Sequence, residues 1–203
     1  MDVGSAEPEP ADPGRRGDVA AAMAAIDRAR FLPRGQTRHA GEDRALALFH
    51  GQTCSQPSTV AAMLELLHVP VGADVLDIGS GSGWTTALLA RLVGPGGSVL
   101  GLEIDPGLCS FGAANLAAWR MPWARIELAD PQVLGRPREG GWARILVSAT
   151  ARRLPPELVD QLAGDSRMVI PVRRQMTLVV REGGGPPALS AHGEYLFVPL
   201  LMP

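Results

Sequence analysis

Lysine occurs nowhere in the chain; all 19 basic residues are arginine. That excludes chemistry resting on a lysine amine: a P-loop lysine, a Schiff-base lysine or the lysine of a kinase cleft. Cysteine is scarce, with only Cys54 and Cys109 among 203 residues. Two thiols this far apart provide neither a disulfide framework nor the spacing of a metal site, so both are expected to be reduced and no metal is expected. No apolar run approaches the roughly 20 residues of a membrane span, and the N-terminal stretch lacks the basic-then-apolar order of a signal peptide. Charge of one sign is not in excess either. The net charge of −2 gives no bulk attraction to nucleic acid or anionic lipid. The expectation is a cytoplasmic, monomeric protein with no nucleic-acid and no membrane partner.

What is present is a hydrophobic fraction of 46%, enough for one domain with a real core. Met1–Asp18, rich in Pro, Glu, Asp, Gly and Ala, is expected to be a disordered tail. A single domain is expected over residues 19–203. Val19–Arg30 reads as a short helix, Phe31–Gly51 as irregular, and Pro57–His68 as an amphipathic helix with Pro57 in its first turn. From Ala73 the pattern alternates. Apolar strands are expected at Asp74–Ile78, Ser98–Ile104, Arg125–Ala129, Ala143–Ser148 and Arg167–Val172. Helices are expected at Trp84–Val93, Pro106–Arg120 and Pro156–Ala163. Such alternation predicts an α/β fold, a Rossmann-like doubly wound and mostly parallel sheet. Met176–Arg181 and Tyr195–Leu200, separated by the Gly/Pro-rich Gly183–Pro187, predict a C-terminal antiparallel hairpin added to that sheet.

The strongest local signal is Val75-Leu76-Asp77-Ile78-Gly79-Ser80-Gly81-Ser82-Gly83-Trp84. A buried strand runs into a glycine-rich turn and then a helix, the arrangement of a cofactor cradle at a strand's carboxyl end. A dinucleotide site needs another glycine three residues after the second. That position holds Trp84 counted from Gly81 and Thr86 counted from Gly83, so the fingerprint is broken. Asp77, acidic and just before the glycines, suits a ligand with a cationic end, such as S-adenosyl-L-methionine with its ammonium and sulfonium. Its two routes are direct contact or fixing the loop. Glu103 ends the second strand 26 residues later, where a carboxylate can accept the hydroxyls of a ribose. Asp105 precedes Pro106 and reads as a helix cap. Asp130 ends the third strand and could hold an adenine amino group.

Gly51-Gln52-Thr53-Cys54-Ser55-Gln56-Pro57, VLDIGSGSGW, Leu154-Pro155, Gln161-Leu162, Val169-Ile170-Pro171-Val172 and Phe197-Val198-Pro199-Leu200 together resemble the protein-L-isoaspartate O-methyltransferase family. The likeness runs from about Val19 to Leu201. It implies the class I methyltransferase fold and methyl transfer from S-adenosyl-L-methionine to the free α-carboxylate of isoaspartyl residues in damaged proteins or peptides. The ester then closes to a succinimide, whose hydrolysis partly restores aspartate. The resemblance further implies that Asp77, Gly79, Ser80, Gly81 and Gly83 belong to the cofactor pocket, with Glu103 at the ribose and Asp130 at the adenine. Ser55 matches the active-site serine, with Thr53 and Val198 on the acceptor side. No catalytic histidine is required, because a carboxylate with a pKa near ~4 is already ionised at neutral pH.

The chain departs from the family pattern in three places. Pro131 replaces a glycine, Ala143 and Arg144 replace an acid early in the fourth strand, and Gly164-Asp165 replaces paired glycines. Two other readings stay open: an enzyme of the same fold with a dedicated peptide or small-molecule acceptor, and a non-catalytic adenosylmethionine-binding relative.

Overall fold

The structure is a computed structural model that describes residues 13–201. The first part of the expected tail, residues 1–12, lies outside the described residues. Backbone helix α1 (Pro13–Ala25) begins within the stretch expected to be tail and ends before Arg30. Asp27 accepts the Ala29 N–H at 2.9 Å and caps a separate 3-10 turn, Arg28–Phe31, so the expected helix is divided in two. The region expected to be irregular holds a second 3-10 turn, Thr37–His39, and β1 (Leu46–Ala47), which pairs with β2 (Thr53–Cys54) in a small antiparallel ladder.

The main sheet is built from β3 (Asp74–Ile78), β4 (Ser98–Glu103), β5 (Ala124–Leu128), β6 (Trp142–Val147), β7 (Leu162–Val172), β8 (Gln175–Arg181) and β9 (Ala188–Glu194). Its order is β5-β4-β3-β6-β7-β8-β9, with every pairing parallel up to β7 and antiparallel beyond it. The helices are α2 (Pro57–Leu67), α3 (Trp84–Val93), α4 (Pro106–Ala117) and the single turn α5 (Pro156–Val159). The chain winds outward from β3 through β4 to β5, then returns to lay β6 on the other side of β3. The carboxyl ends of β3 and β6 are therefore the switch point, where open α/β sheets bind ligands.

Period-two alternation along the buried strands splits the core into two layers. Val75, Val99, Leu146, Val169 and Leu178 pack against α1, α2 and α3. Leu76, Ile78, Leu100, Leu102, Ile145, Val147 and Ile170 face the other way, beneath Leu134, Trp142 and Leu158.

The antiparallel addition is present, but its outer strand is not the expected one. β8 pairs with β9, whereas residues 195–200 cross the carboxyl end of β6. Thr150 N–H donates to the Val198 carbonyl at 2.8 Å and Leu200 N–H to the Thr150 carbonyl at 2.8 Å. Pro199 between them has no N–H to give a ladder. β7 also begins earlier than expected, at Leu162, which shortens the preceding helix to one turn.

Candidate active site

The turn of residues 79–83 carries positive φ at Gly79, Gly81 and Gly83. At Gly83 the need is absolute: a Cβ would lie 2.8 Å from the Gly112 carbonyl oxygen. This glycine seats the start of α3 against α4 and does not line the cleft.

Asp77 also points away from the cleft. It shares the side of β3 occupied by Val75, so its carboxylate sits under α3, fully buried. Oδ2 accepts the hydroxyls of Thr85 at 2.8 Å and Thr86 at 2.7 Å. Burial, opposed by those two hydrogen bonds, pushes its pKa up to about 6. Of the two routes open to Asp77, the geometry supports fixing the loop rather than direct contact, which corrects the simpler expectation.

Above the strand ends lies a cleft of about 1050 Å³, including its open mouth. Gly79, Ser80, Gly81, Glu103 and Asp130 line it together, drawn from the ends of three adjacent strands. Glu103 is buried; Oε2 accepts the Gly81 N–H at 2.8 Å and Oε1 the Asp105 N–H at 3.0 Å. The carboxylate thus fixes the loop while keeping lone pairs free for a ligand. Asp130 is exposed at the rim, and its Oδ1 accepts the Gln132 N–H at 2.9 Å across Pro131. The proline sits within a turn tied by its neighbours, so the departure at this position leaves the acid in place. Among the described residues, the only charged side chains of the lining are Glu103 and Asp130, which suits a cationic ligand. Ser80 Oγ, in the lining, is buried without a hydrogen-bond partner among the described residues. An orphan hydroxyl in a glycine cradle and an acidic lining fit S-adenosyl-L-methionine.

A second hollow lies beside the first, lined by Thr53, Ser55, Gln56, Ser148, Arg174, Glu194, Tyr195 and Val198 among others. Thr53, Ser55, Ser148 and Val198 line both, so these four residues are the wall where the hollows meet. The three residues expected on the acceptor side are all in that wall; Ser148 is an addition.

Sequence reasoning also missed Arg28. Its buried guanidinium donates to the carbonyls of Ala40, Glu42, Arg44, Cys54 and Ser55 at 2.9–3.3 Å and lies 5.3 Å over the Trp84 ring. One side chain therefore gathers the 40–44 loop and the Ser55 segment onto the start of α3. The turn between β1 and β2 closes over the loop, with Leu48 within 4 Å of where a Gly81 Cβ would be. It is pinned by His50 Nδ1, 2.6 Å from Asp105 Oδ2, and by Phe49 edge-on to Phe111 at 5.2 Å. Asp105 caps α4 as expected, accepting the Leu108 N–H at 2.8 Å.

The other departures lie off the site. Arg144 pairs in register with Val75 and donates Nε to the His68 carbonyl at 2.8 Å. Asp165 accepts the Gly183 N–H at 2.7 Å.

A seven-stranded sheet of this order, with a glycine cradle and acid-terminated strands at its switch point, defines an S-adenosylmethionine-dependent methyltransferase of class I architecture. Within that class the protein-L-isoaspartate(D-aspartate) O-methyltransferase family model matches residues 13–202, and the chain belongs to that family. It is 44% identical over 167 residues to the protein-L-isoaspartate O-methyltransferase of Anaeromyxobacter dehalogenans, covering 80% of this chain and 78% of that one. To the enzyme of the same name from Aeropyrum pernix it is 38% identical over 187 residues, covering 90% and 72%. A putative protein-L-isoaspartate O-methyltransferase from Plasmodium falciparum, solved in complex with S-adenosyl-L-homocysteine, superposes with a TM-score of 0.78 at 26% identity, covering 92% of this chain and 94% of that one.

Proposed function

We propose that this protein transfers the methyl group of S-adenosyl-L-methionine to the free α-carboxylate of L-isoaspartyl residues in proteins or peptides. The observation that carries the reading is the common wall. A cleft suited to a cationic donor and a second, open hollow share Thr53, Ser55, Ser148 and Val198. Family membership supports the choice of acceptor.

In this reading Gly79, Ser80 and Gly81 bring the main chain against the donor, Glu103 accepts from its ribose hydroxyls, and Asp130 lies at the adenine. Asp77 and Gly83 hold the loop from behind. The bound donor supplies an electrophilic methyl group with a neutral sulfide as its leaving group. Everything else falls to positioning. The acceptor carboxylate is ionised at neutral pH, so no base has to remove a proton. Among the described residues, neither hollow has a histidine in its lining. Ser55 orients one carboxylate oxygen, so the enzyme works by alignment.

We extend the reading to residues 19–203 as one methyltransferase domain, supported by the single main sheet with a core layer on each face. A monomer in a reducing, cytoplasmic setting completes it, supported by the free thiols of Cys54 and Cys109; light scattering after gel filtration checks the mass. No helix among the described residues is long and apolar enough to cross a membrane.

The decisive assay offers labelled S-adenosyl-L-methionine with an isoaspartyl peptide, its aspartyl twin and a set of small carboxylic acids. Labelling confined to the isoaspartyl peptide is expected. Equal labelling of the twin, or labelling of a small acid alone, would end this reading.

A further inference from the structure

β6 delivers Ser148 to the switch point, where its N–H continues the sheet by donating to the Ile78 carbonyl at 2.8 Å. Its hydroxyl has no hydrogen-bond partner among the described residues and is buried. A buried hydroxyl left unpaired weakens a fold, and alanine would fill the same strand end without that cost. The fold therefore gives no reason for the serine. Its position does: Ser148 belongs to the wall shared by the two hollows and stands beside Gly79, where a Cβ would lie 3.9 Å from the Ser148 Cβ. Ser55 reaches the same wall from a different element, the connection between β2 and α2. The residue two places after Ser148, Thr150, anchors Val198 and Leu200, so this strand end also fixes the C-terminal side of the wall.

We propose that the Ser148 hydroxyl donates to the acceptor carboxylate from the sheet side while Ser55 holds it from the helix side, so that two hydroxyls clamp one ion. The proposal rests on reading the second hollow as the acceptor groove. A carboxylate has enough lone pairs for both, and two donors from different directions fix its plane as well as its position. No proton moves; each serine keeps its hydrogen and contributes alignment.

The test is Ser148→Ala in the full chain, beside the parent, Ser55→Ala and the double variant. A residue kept for structure loses stability on truncation, whereas an unpaired hydroxyl kept for function does not. The expected result is a melting temperature equal to or above the parent's and an adenosylmethionine Kd within twofold by calorimetry. At the same time kcat/KM for an isoaspartyl peptide should fall by roughly ten- to a hundredfold. The double variant should fall by less than the product of the two single losses, because both serines act on one ion. Parental turnover in Ser148→Ala, a lowered melting temperature, or a Kd that rises as far as kcat/KM falls would each overturn the proposal. A parent that binds the donor but leaves the peptide unlabelled removes the acceptor reading itself, and that result is read before any variant is made.

Discussion

Nη2 of Arg28 donates to the carbonyl oxygen of Ser55 at 2.9 Å, and to that of Cys54 at 3.1 Å. The placement of Ser55 is thus set by a cation 27 residues upstream that lines neither hollow. Arg28→Lys keeps the charge and loses the fork, leaving several carbonyls of residues 40–55 without a donor. Stability should drop by on the order of 3 kcal/mol, and turnover should drop more than donor affinity. Thermal melts, calorimetry and peptide kinetics on one preparation check this; an unchanged melting temperature would refute it.

Ser55→Ala tests the acceptor side from the other direction. In the proposed role the serine contributes orientation and one hydrogen bond, worth on the order of 1–3 kcal/mol, or roughly ten- to a hundredfold in rate. Activity should be reduced, not abolished, with donor affinity retained. If the folded variant works at the parent rate, Ser55 does no more than start α2.

Glu103→Gln should weaken adenosylmethionine binding by about ten- to a hundredfold, measured by calorimetry. The carboxylate already accepts the Gly81 and Asp105 N–H groups, and an amide presents an N–H₂ to one of those partners. Loop geometry and ribose contact suffer together. Unchanged affinity would place the ribose elsewhere.

Asp77 makes stability depend on pH in an unusual direction. Its folded pKa is raised to about 6 from 3.8, so between those values the fold binds more protons than the unfolded chain. Its contribution therefore falls as pH rises through that window and is lowest above about 6. Glu42, Asp43, Asp105 and Glu127, held below their usual values by hydrogen bonds, act lower on the scale and in the opposite sense. From pH 5 to pH 7 the ligand-free parent should lose stability relative to Asp77→Asn in urea titrations. Parallel curves would show that Asp77 is ionised without cost.

The strand ends and the glycine turn were legible because burial on both faces forces continuous apolar runs, and a left-handed turn calls for glycine. Asp77 shows the limit: sequence places an acid at the strand end, but only the sheet's parity tells which face it takes. β9 was hidden for a physical reason. As an edge strand exposed over most of its length, ALSAHGE needs no apolar alternation, while the apolar residues 195–200 looked like a strand because they line a site. Arg28 carried no motif at all, since its partners are backbone carbonyls that any residue supplies. Ser148 was visible as the last residue of an expected strand but had no sequence partner to mark it.

The common wall of Thr53, Ser55, Ser148 and Val198 has a bearing on how the enzyme spends its time. Neither hollow is sealed. On the proposed reading, a donor can be loaded and remain loaded while one polypeptide after another is tried in the second hollow and released unmarked. For a protein that must find a rare lesion among a great excess of sound chains, that arrangement separates searching from arming. With the acceptor site at the wall, as proposed, clients that offer no carboxylate there leave with nothing transferred, and the donor is consumed only on a hit.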